Sequence, residues 1–318
     1  MNVMSTATSE QKTVRVKEVS QSTNLWLIVL ERLRRNKVAM LAFYYIMLNV
    51  LIAIFYPILI PFDPIERAPG KDSKFGGGVN AFPTLKYPAG INQPGQDIFS
   101  RLLAGSEISI LVGIFATLIS VIIGVLVGLL AGYYQGKVEE ILMRVVDLFL
   151  AVPFLLIAIV LVQLITSGQA KVLQGMPVVW VITFVIGFFG WAGLARLVTA
   201  NVKQVAALEY VSAVKIMGAR DSRILFVHIL PNVSAPIIVI TALFTASAIL
   251  SEAGLAFLGI GDPANTVSWG IMVNNGRTQL AKHPEQSLFP GFAIFFLVLC
   301  INLFGDALRD ALDPKLKN

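Results

Sequence analysis

Few residues of this 318-residue chain have the types and spacing that enzyme chemistry requires. The stretch GYYQGKVEE at 132–140 is superficially like a phosphate-binding loop, but it has three residues rather than four between its glycines, and no Ser or Thr follows Lys137. The sequence has no H-E-x-x-H and no G-x-S-x-G motif, and it contains only two histidines, His228 and His283, and one cysteine, Cys300. We therefore predict that the chain is not itself an enzyme and binds no ATP, cofactor or metal ion.

Polar residues inside the long apolar stretches are the remaining candidates for function, because such groups are costly in lipid. They are Asn49, Arg144, Asp147, Gln163, Arg196, Glu252, Asn302 and Asp306. Most of the charged ones lie near predicted inner ends of spans, where snorkelling and mutual pairing explain them. Gln163 and Glu252 are the candidates for a translocation path, although hydrogen bonding between helices is the commoner role. The spans carry no series of acidic residues at helical spacing, which argues against a proton-coupled pump.

The composition predicts that lipid is the solvent for much of the surface. Hydrophobic residues make up 56% of the chain, charged residues make up 14%, and the mean hydropathy is +0.76. Soluble domains have roughly 45–50% and about 25%, respectively. The net charge of +6 could suggest nucleic acid, but the basic residues lie at the edges of apolar stretches, where lipid headgroups explain them better. One cysteine excludes a disulfide framework.

Six nearly charge-free runs have the roughly 20 residues that a membrane-spanning helix needs. They are 38–62, 108–136, 148–170, 172–195, 229–251 and 286–305. The sequence thus predicts an all-α integral membrane protein with six transmembrane helices. The first helix, 38–62, is expected to be an anchor because residues 1–37 are mostly polar and no cleavage site follows it. The third and fourth spans form a hairpin around a turn containing Gly168, Lys171, Gly175 and Pro177.

The distribution of basic residues predicts the orientation. With the N-terminus inside, 17 Lys and Arg residues lie on the cytoplasmic side and 8 outside. Both termini are then cytoplasmic, as the tails 1–37 and 309–318, and 63–106 is an external loop before a five-helix core at 107–308. That loop is rich in proline and is expected to be irregular, with a short interfacial helix near 97–104.

Two further patterns concern helix packing and the cytoplasmic face. Gly124, Gly128, Gly132 and Gly136 recur at a spacing of four and leave a bare stripe on the second span, which permits close approach of another helix. The 201–231 segment combines apolar and basic residues at helical spacing. We expect a helix, a bend at Gly218, a second short helix with Asp221 near its start, and a stop at Pro231. Such a projection suits docking into a groove on a cytoplasmic partner, and the alternative is a helix lying on the lipid surface.

At this segment the chain resembles the inner-membrane permease subunits of ABC importers. Their signature is EAA, three residues, Gly, nine residues, then I-x-L-P. Here it reads Ser212-Ala213-Val214, Gly218 and His228-Ile229-Leu230-Pro231. The glycine and the Leu-Pro pair match, whereas Ser212, Val214 and His228 depart from the pattern.

Longer stretches resemble one branch of that family, the second (C-type) permease of dipeptide, oligopeptide and nickel uptake systems. They include ERLRRNKVAMLAF, GQDIFSRLLAGSEISI, GYYQGKVEEILMRVVDLFLAVPFLLIAI and SEAGLAFLGIG, and the similarity extends from about residue 30 to residue 317. One departure is external: the usual L-G-T-D-x-x-G-R-D reads AGINQPGQD at 89–97, so the Thr-Asp pair and the Arg are lost.

The resemblance implies a type I ABC importer transmembrane domain in the cell inner membrane. It also implies the partners: a second related permease forming a heterodimer, two cytoplasmic ATP-binding subunits that hold ATP and Mg²⁺, and an extracytoplasmic solute-binding protein. The stretch from Ala213 through Ala219, Arg220 and Asp221 to Arg223 then corresponds to the helix that couples to the ATPase. At Gly218 a side chain would clash or change the angle of the projection.

The sequence leaves the solute open. A di- or oligopeptide is the first hypothesis, and nickel or another metal chelate, or an oligosaccharide, belongs to the same importer class. A stand-alone secondary carrier would show inverted repeats or intramembrane acids, and an intramembrane enzyme would need the motifs excluded above. This sequence shows clearly neither the features of a secondary carrier nor those of an intramembrane enzyme.

Overall fold

The structure is a computed structural model and describes residues 25–66, 87–166, 176–262 and 265–312. Within those ranges the regular elements are helices, apart from one antiparallel bridge between Ile91 and Asp97. The α-helices are α1 Leu25–Arg35, α2 Lys37–Leu59, α3 Ile98–Tyr133, α4 Lys137–Ala151, α5 Phe154–Thr166, α6 Val178–Ala206, α7 Glu209–Ile216, α8 Asp221–Arg223, α9 Leu230–Phe257, α10 Trp269–Gly276 and α11 Glu285–Leu312. A π-helical turn, Ile224–Ile229, joins α8 to α9, and a 3₁₀ turn, Arg277–Gln279, follows α10.

The prediction of an all-helical membrane protein is confirmed. Five helical segments are each long and apolar enough to cross a membrane: α2, α3, α6, the continuous run from α8 to α9, and α11. The pair α4 and α5 makes a sixth if it counts as one span, bent by 72°. The spans are thus those of a six-helix membrane domain.

Three helices, α3, α6 and α9, form the centre of the bundle. The glycines of α3 contact residues of α6 in rising order along both helices, so these two helices run parallel. Helix α9 runs antiparallel to α3, because Ser109 of α3 donates to Glu252 at 3.2 Å and Thr117 donates to Thr245 at 3.1 Å. The remaining spans pack around this centre and position the two ends of α3.

Helix α3 is longer than predicted, so the external loop before it ends earlier than expected. A short helix near 97–104 followed by a separate span from residue 108 was expected, but one 36-residue helix runs from Ile98 to Tyr133. Asp97 caps its start, since its side chain accepts from the backbone N–H of Ser100 at 2.8 Å. No proline lies in this run, and Gly105, which falls between the two predicted elements, stays within the helix and packs against Trp269. The loop between α2 and α3 is correspondingly shorter, and residues 67–86 lie outside the described residues.

The third span was predicted as a single helix at 148–170, and this is wrong. Helix α4 begins eleven residues earlier, at Lys137, and ends at Ala151, and α5 begins at Phe154. Pro153 causes the break because it lacks a backbone N–H and disfavours helical geometry at Val152, whose φ and ψ are −84° and 123°. The predicted hairpin turn after it, at 167–175, lies outside the described residues.

The two tails are partly helical, which the prediction did not include. Helix α1 lies within the predicted N-terminal tail, and its Val29 and Leu33 are buried against the end of α11. Arg32 donates from Nη1 to the carbonyl oxygen of Ala311 at 3.2 Å. Helix α11 extends to Leu312, past the predicted tail boundary at residue 309.

Pro231 does not stop the helix that enters α9, contrary to expectation. The π-helical turn Ile224–Ile229 immediately precedes it, and the helix continues to Phe257. A π turn is wider than an α turn, so the proline ring meets less crowding from the preceding carbonyl groups. Pro231 therefore lies in the first turn of α9, where its missing N–H is least costly.

Candidate functional site

A compact projection forms between α6 and α9, and we call it the coupling projection (residues 207–229). It consists of α7, a bend at Gly218, α8 and the π turn. Gly218 has φ +80°, a left-handed conformation that favours glycine. The backbone N–H of Ala219 donates to the carbonyl oxygen of Val214 at 3.3 Å, which closes the end of α7. The chain therefore reverses sharply at this point.

Apolar packing fixes the base of the coupling projection on the membrane bundle. Val211, Ile224, Leu225 and Ile229 are buried in one cluster. The same cluster contains residues of the long helices, namely Leu129 of α3, Leu194, Val198 and Val202 of α6, and Val233 and Ile237 of α9. The base of the projection is therefore packed in one close-packed cluster with residues of three spans.

Two tyrosines tie the projection to the end of α3. Tyr133 donates its hydroxyl to Asp221 Oδ1 at 2.6 Å, and Tyr134 donates to Asp221 Oδ2 at 3.1 Å. The ammonium group of Lys215 lies 5.6 Å from the centre of the Tyr133 ring. Sequence reasoning placed Asp221 at a helix start but missed both tyrosines, although they follow the last glycine inside α3.

The outer surface of the projection is apolar at its tip and basic beside it. Ile216 and Met217 are 87% and 76% exposed. Of the residues predicted for this site, Ser212, Ala213, Gly218, Arg220, Arg223 and Pro231 are exposed, and Val214, Ala219, Asp221, His228 and Leu230 are half-buried. Exposed apolar side chains flanked by charge are typical of a surface that another protein covers.

The glycine stripe of α3 is divided between two roles. A Cβ at Gly124, Gly128 or Gly132 would lie 2.5–2.6 Å from a side-chain carbon of α6. These three glycines therefore permit the close packing of α3 on α6 within this subunit. Gly136 differs, since it has φ +70° and open space around it, and it forms the turn between α3 and α4.

Charged residues of α4 form ion pairs with charged residues of α6. Asp147 of α4 forms an ion pair with Arg196 of α6, and Glu139 forms one with Lys203. These pairs hold the bent α4 against α6, as the prediction of mutual pairing implied. They engage Glu139 and Asp147 of α4 within the subunit.

A pocket of about 230 Å³ opens beside the break between α4 and α5. Its lining combines aromatic rings and hydroxyl groups at membrane depth: Phe154, Phe189, Phe244, Ser247 and Ser251, with Ile186, Gly190 and Ala248. We call it the membrane pocket. Sequence reasoning missed these residues, although Ser247 and Ser251 lie four apart and so share one face of α9.

The two residues predicted for a translocation path lie elsewhere. Glu252 is 3% exposed and accepts from Ser109 at the junction of α3 and α9, so in this conformation it faces the interior of the subunit. Gln163 lies on α5 with an exposed side chain. The structure therefore favours a helix-linking role for Glu252 and brings neither residue into the membrane pocket.

The described residues contain no group of three or more His, Cys, Asp or Glu side chains that could hold a metal ion. Cys300 is half-buried on α11. What the described residues do offer is an exposed projection and a pocket within the bundle.

Comparison with known proteins agrees with this geometry. Residues 124–318 match the family described as binding-protein-dependent transport system inner membrane component. Residues 24–83 match the N-terminal TM domain of oligopeptide transport permease C. Similar curated proteins include the glutathione transport system permease protein GsiD of Pectobacterium atrosepticum, 39% identical over 293 residues that cover 92% of each chain. The oligopeptide transport system permease protein OppC of Bacillus subtilis is 36% identical over 304 residues, covering 93% of this chain and 92% of that one.

Proposed function

Because the chain belongs to the binding-protein-dependent transport system inner membrane components, we propose that it forms half of the path by which an ATP-driven importer takes up small peptides. As a family member it is a multi-pass permease subunit of an ABC importer in the inner membrane, and it is not an enzyme. The other half of the path comes from a second, related permease in a heterodimer. Two cytoplasmic subunits bind and hydrolyse ATP with Mg²⁺, and an extracytoplasmic protein delivers the solute.

The observation that carries the proposal is the coupling projection. Its exposed tip, Ile216 and Met217, fits a groove on an ATPase, and the exposed Arg220 and Arg223 add charge beside that tip. Its base is packed on α3, α6 and α9. When the ATPases close, the projection moves with them, and the spans tilt so that the path opens to the other side.

The membrane pocket is our candidate for this subunit's part of the path. The bend at Pro153 opens the space beside α9, and the serine hydroxyl groups of Ser247 and Ser251 offer hydrogen bonds to a polar solute. Aromatic rings beside them accept apolar side chains. Mixed polar and aromatic walls suit peptides, whose backbones are polar and whose side chains vary.

A peptide as solute is supported by the relatives named for glutathione and oligopeptides. A metal chelate stays the second solute to test, because the described residues hold no metal-binding cluster and would meet a chelate only through its ligand. The orientation follows from the basic residues: both termini and the coupling projection are cytoplasmic, and the loop before α3 is outside.

The first experiment is purification of the tagged chain from its native membrane in mild detergent, with mass spectrometry of the proteins that copurify. One related permease and P-loop ATPases are expected. Recovery of the chain alone, together with transport after reconstitution, would overturn the proposal in favour of a stand-alone carrier.

The second experiment tests the membrane pocket in proteoliposomes that contain the whole importer. Ser247→Trp fills the pocket, and we expect it to abolish ATP-driven uptake of labelled dipeptides and glutathione while the complex still assembles. Ile58→Trp on α2 is the matched control, because Ile58 is 83% exposed and lies outside the pocket. Equal uptake by both variants would show that the solute passes elsewhere.

A further inference from the structure

A buried arginine lies at the start of α3, at the end opposite the coupling projection. Arg101 is only 2% exposed, and its Nη1 donates to the carbonyl oxygen of Pro64 and to Gln96 Oε1, both at 2.7 Å. Both acceptors are neutral. Among the described residues, no carboxylate forms an ion pair with this guanidinium group. Burying a cation without a counter-charge has a high free-energy cost. The groups around Arg101 therefore indicate what could compensate its charge.

A small cavity adjoins Arg101 and contains a second unused donor. Its polar lining is Asn92, Arg101, Asn275 and Gln286, and Ile98 and Met272 supply apolar walls. Gln286 is 5% exposed, and its Nε2 has no hydrogen-bond partner among the described residues. The cavity has about 20 Å³ of room for the centre of a bound particle, which suffices for one small ion or one water molecule.

In the described part of the loop before α3, residues 60–66 and 87–97, no carboxylate pairs with this positive charge. Asn92 stands where the family pattern has Asp, and Gln96 stands where it has Arg. In the structure these two amides bond to each other, from Asn92 Nδ2 to Gln96 Oε1 at 2.9 Å. Asp97 is the nearest acid along the chain, and its Oδ2 accepts from the backbone N–H and hydroxyl of Ser100 at the helix cap. Its Oδ1 is buried and has no hydrogen-bond partner among the described residues, but neither oxygen lies within 4.0 Å of the Arg101 guanidinium group.

We propose that this cavity binds a small monovalent anion of the size of chloride. The guanidinium group of Arg101 supplies the charge, and the amide N–H groups of Gln286 supply further donors. The apolar walls of Ile98 and Met272 exclude competing water on the other side. Phosphate and peptide carboxylates are too large for the cavity. The ion would join the loop at Pro64 and the start of α3 to α10 and α11, which stiffens this face of the subunit.

The test measures thermal unfolding of the full chain in nanodiscs, in sodium chloride and in sodium gluconate at equal ionic strength. We expect chloride to raise the unfolding midpoint by at least about 2 °C, because a ligand that binds only the folded state stabilises it. Gluconate is too large to enter. An equal midpoint in the two salts would overturn the proposal and would assign the cavity to water.

Gln286→Glu and Asn92→Asp sharpen the test, since each places a carboxylate beside Arg101 in place of the ion. Both variants should lose the chloride-dependent shift, and in gluconate they should unfold no earlier than the unchanged chain. Gln93→Glu is the matched control: it adds the same charge to the same loop at an exposed position, and it should keep the full shift. A shift retained by Gln286→Glu and Asn92→Asp would place the chloride effect elsewhere and overturn the site.

A direct measurement completes the design. Bromide exchanged for chloride should give one anomalous scattering peak beside Arg101 in the assembled importer, and Gln286→Glu should remove it. The site concerns the stability of this face and not transport, so its failure would leave the proposed function untouched.

Discussion

Replacement of Gly128 by alanine tests the packing of α3 on α6 most directly. The new Cβ would lie 2.6 Å from Val198 Cβ and 2.9 Å from the carbonyl oxygen of Ala195. Ordinary van der Waals contact begins at 3.4 Å, so the new Cβ and Val198 Cβ must move apart by about 0.8 Å. A gap of that size between the two helices costs the neighbouring atom pairs a quarter to a half of their van der Waals attraction. Overpacking of this kind costs about 1–3 kcal/mol of the free energy of unfolding.

The control for this variant is Gly193→Ala on α6. A Cβ at Gly193 meets no atom within 4 Å. Both substitutions gain helix propensity, worth roughly 0.5–1 kcal/mol. The difference between the two variants therefore isolates the overpacking cost of about 1–3 kcal/mol. Reversible unfolding of the chain in bicelles, followed by steric trapping, gives both free energies.

Val198→Ala should partly rescue Gly128→Ala, because it removes Val198 Cγ1, which would lie 2.7 Å from the new methyl group. The Cβ of residue 198, at 2.6 Å, remains in both variants. The rescue stays incomplete, since the carbonyl oxygen of Ala195 belongs to the backbone and no substitution removes it. We expect a coupling energy of at least about 0.5 kcal/mol in the double-mutant cycle. If Gly128→Ala and Gly193→Ala have equal stability, or if the cycle shows no coupling, the reasoning about the bare stripe is refuted.

Three further predictions concern the function. Gly218→Val should uncouple ATP hydrolysis from uptake without loss of membrane insertion, because φ +80° strains a residue with a branched side chain. Gly218→Asn should retain most of the coupling, since asparagine tolerates this conformation better. Equal uptake by the two variants would refute the role of the bend. In a chain whose Cys300 is replaced by Ser, an impermeant thiol reagent should label Gln93→Cys in intact cells and Ile216→Cys only in inverted vesicles; the reverse pattern would overturn the orientation. Pro153→Ala should straighten the 72° bend and lengthen the distance between spin labels at the far ends of α4 and α5 by about 8 Å; an unchanged distance would mean that packing, not proline, sets the bend.

The spans and their order could be predicted because hydrophobic length is a local property of the sequence. The positions at which helices break or continue could not be predicted from hydrophobic length. Pro153 lies inside an apolar run, so its effect is hidden from any argument based on hydropathy alone. Pro231 looked like a stop, yet the helix continues through the π turn before it, and Ile224, Leu225 and Ile229 of that turn pack on other spans.

The candidate site was partly accessible from the sequence. The bend at Gly218 and the start of a helix at Asp221 follow from residue types, since glycine tolerates left-handed geometry and acids favour helix starts. The two tyrosines that hold Asp221 come from α3, about 90 residues away along the chain. Contacts of that kind, like the lining of the membrane pocket, depend on which helices become neighbours, and residue spacing within one helix contains no such information.

The π turn at Ile224–Ile229 has a consequence for how this subunit would be matched to the proposed ATPase partner. A π turn contains one residue more than the α-helical turn it replaces, and one residue corresponds to about 100° of rotation around a helix axis. Deletion of a single residue from this turn would therefore keep a continuous helix but swing Ile216 and Met217 by roughly a quarter of a revolution about α9. The length of this one turn thus sets the direction in which Ile216 and Met217 face. Under the proposed function, single-residue insertions or deletions there would let related permeases fit ATPases of different shape.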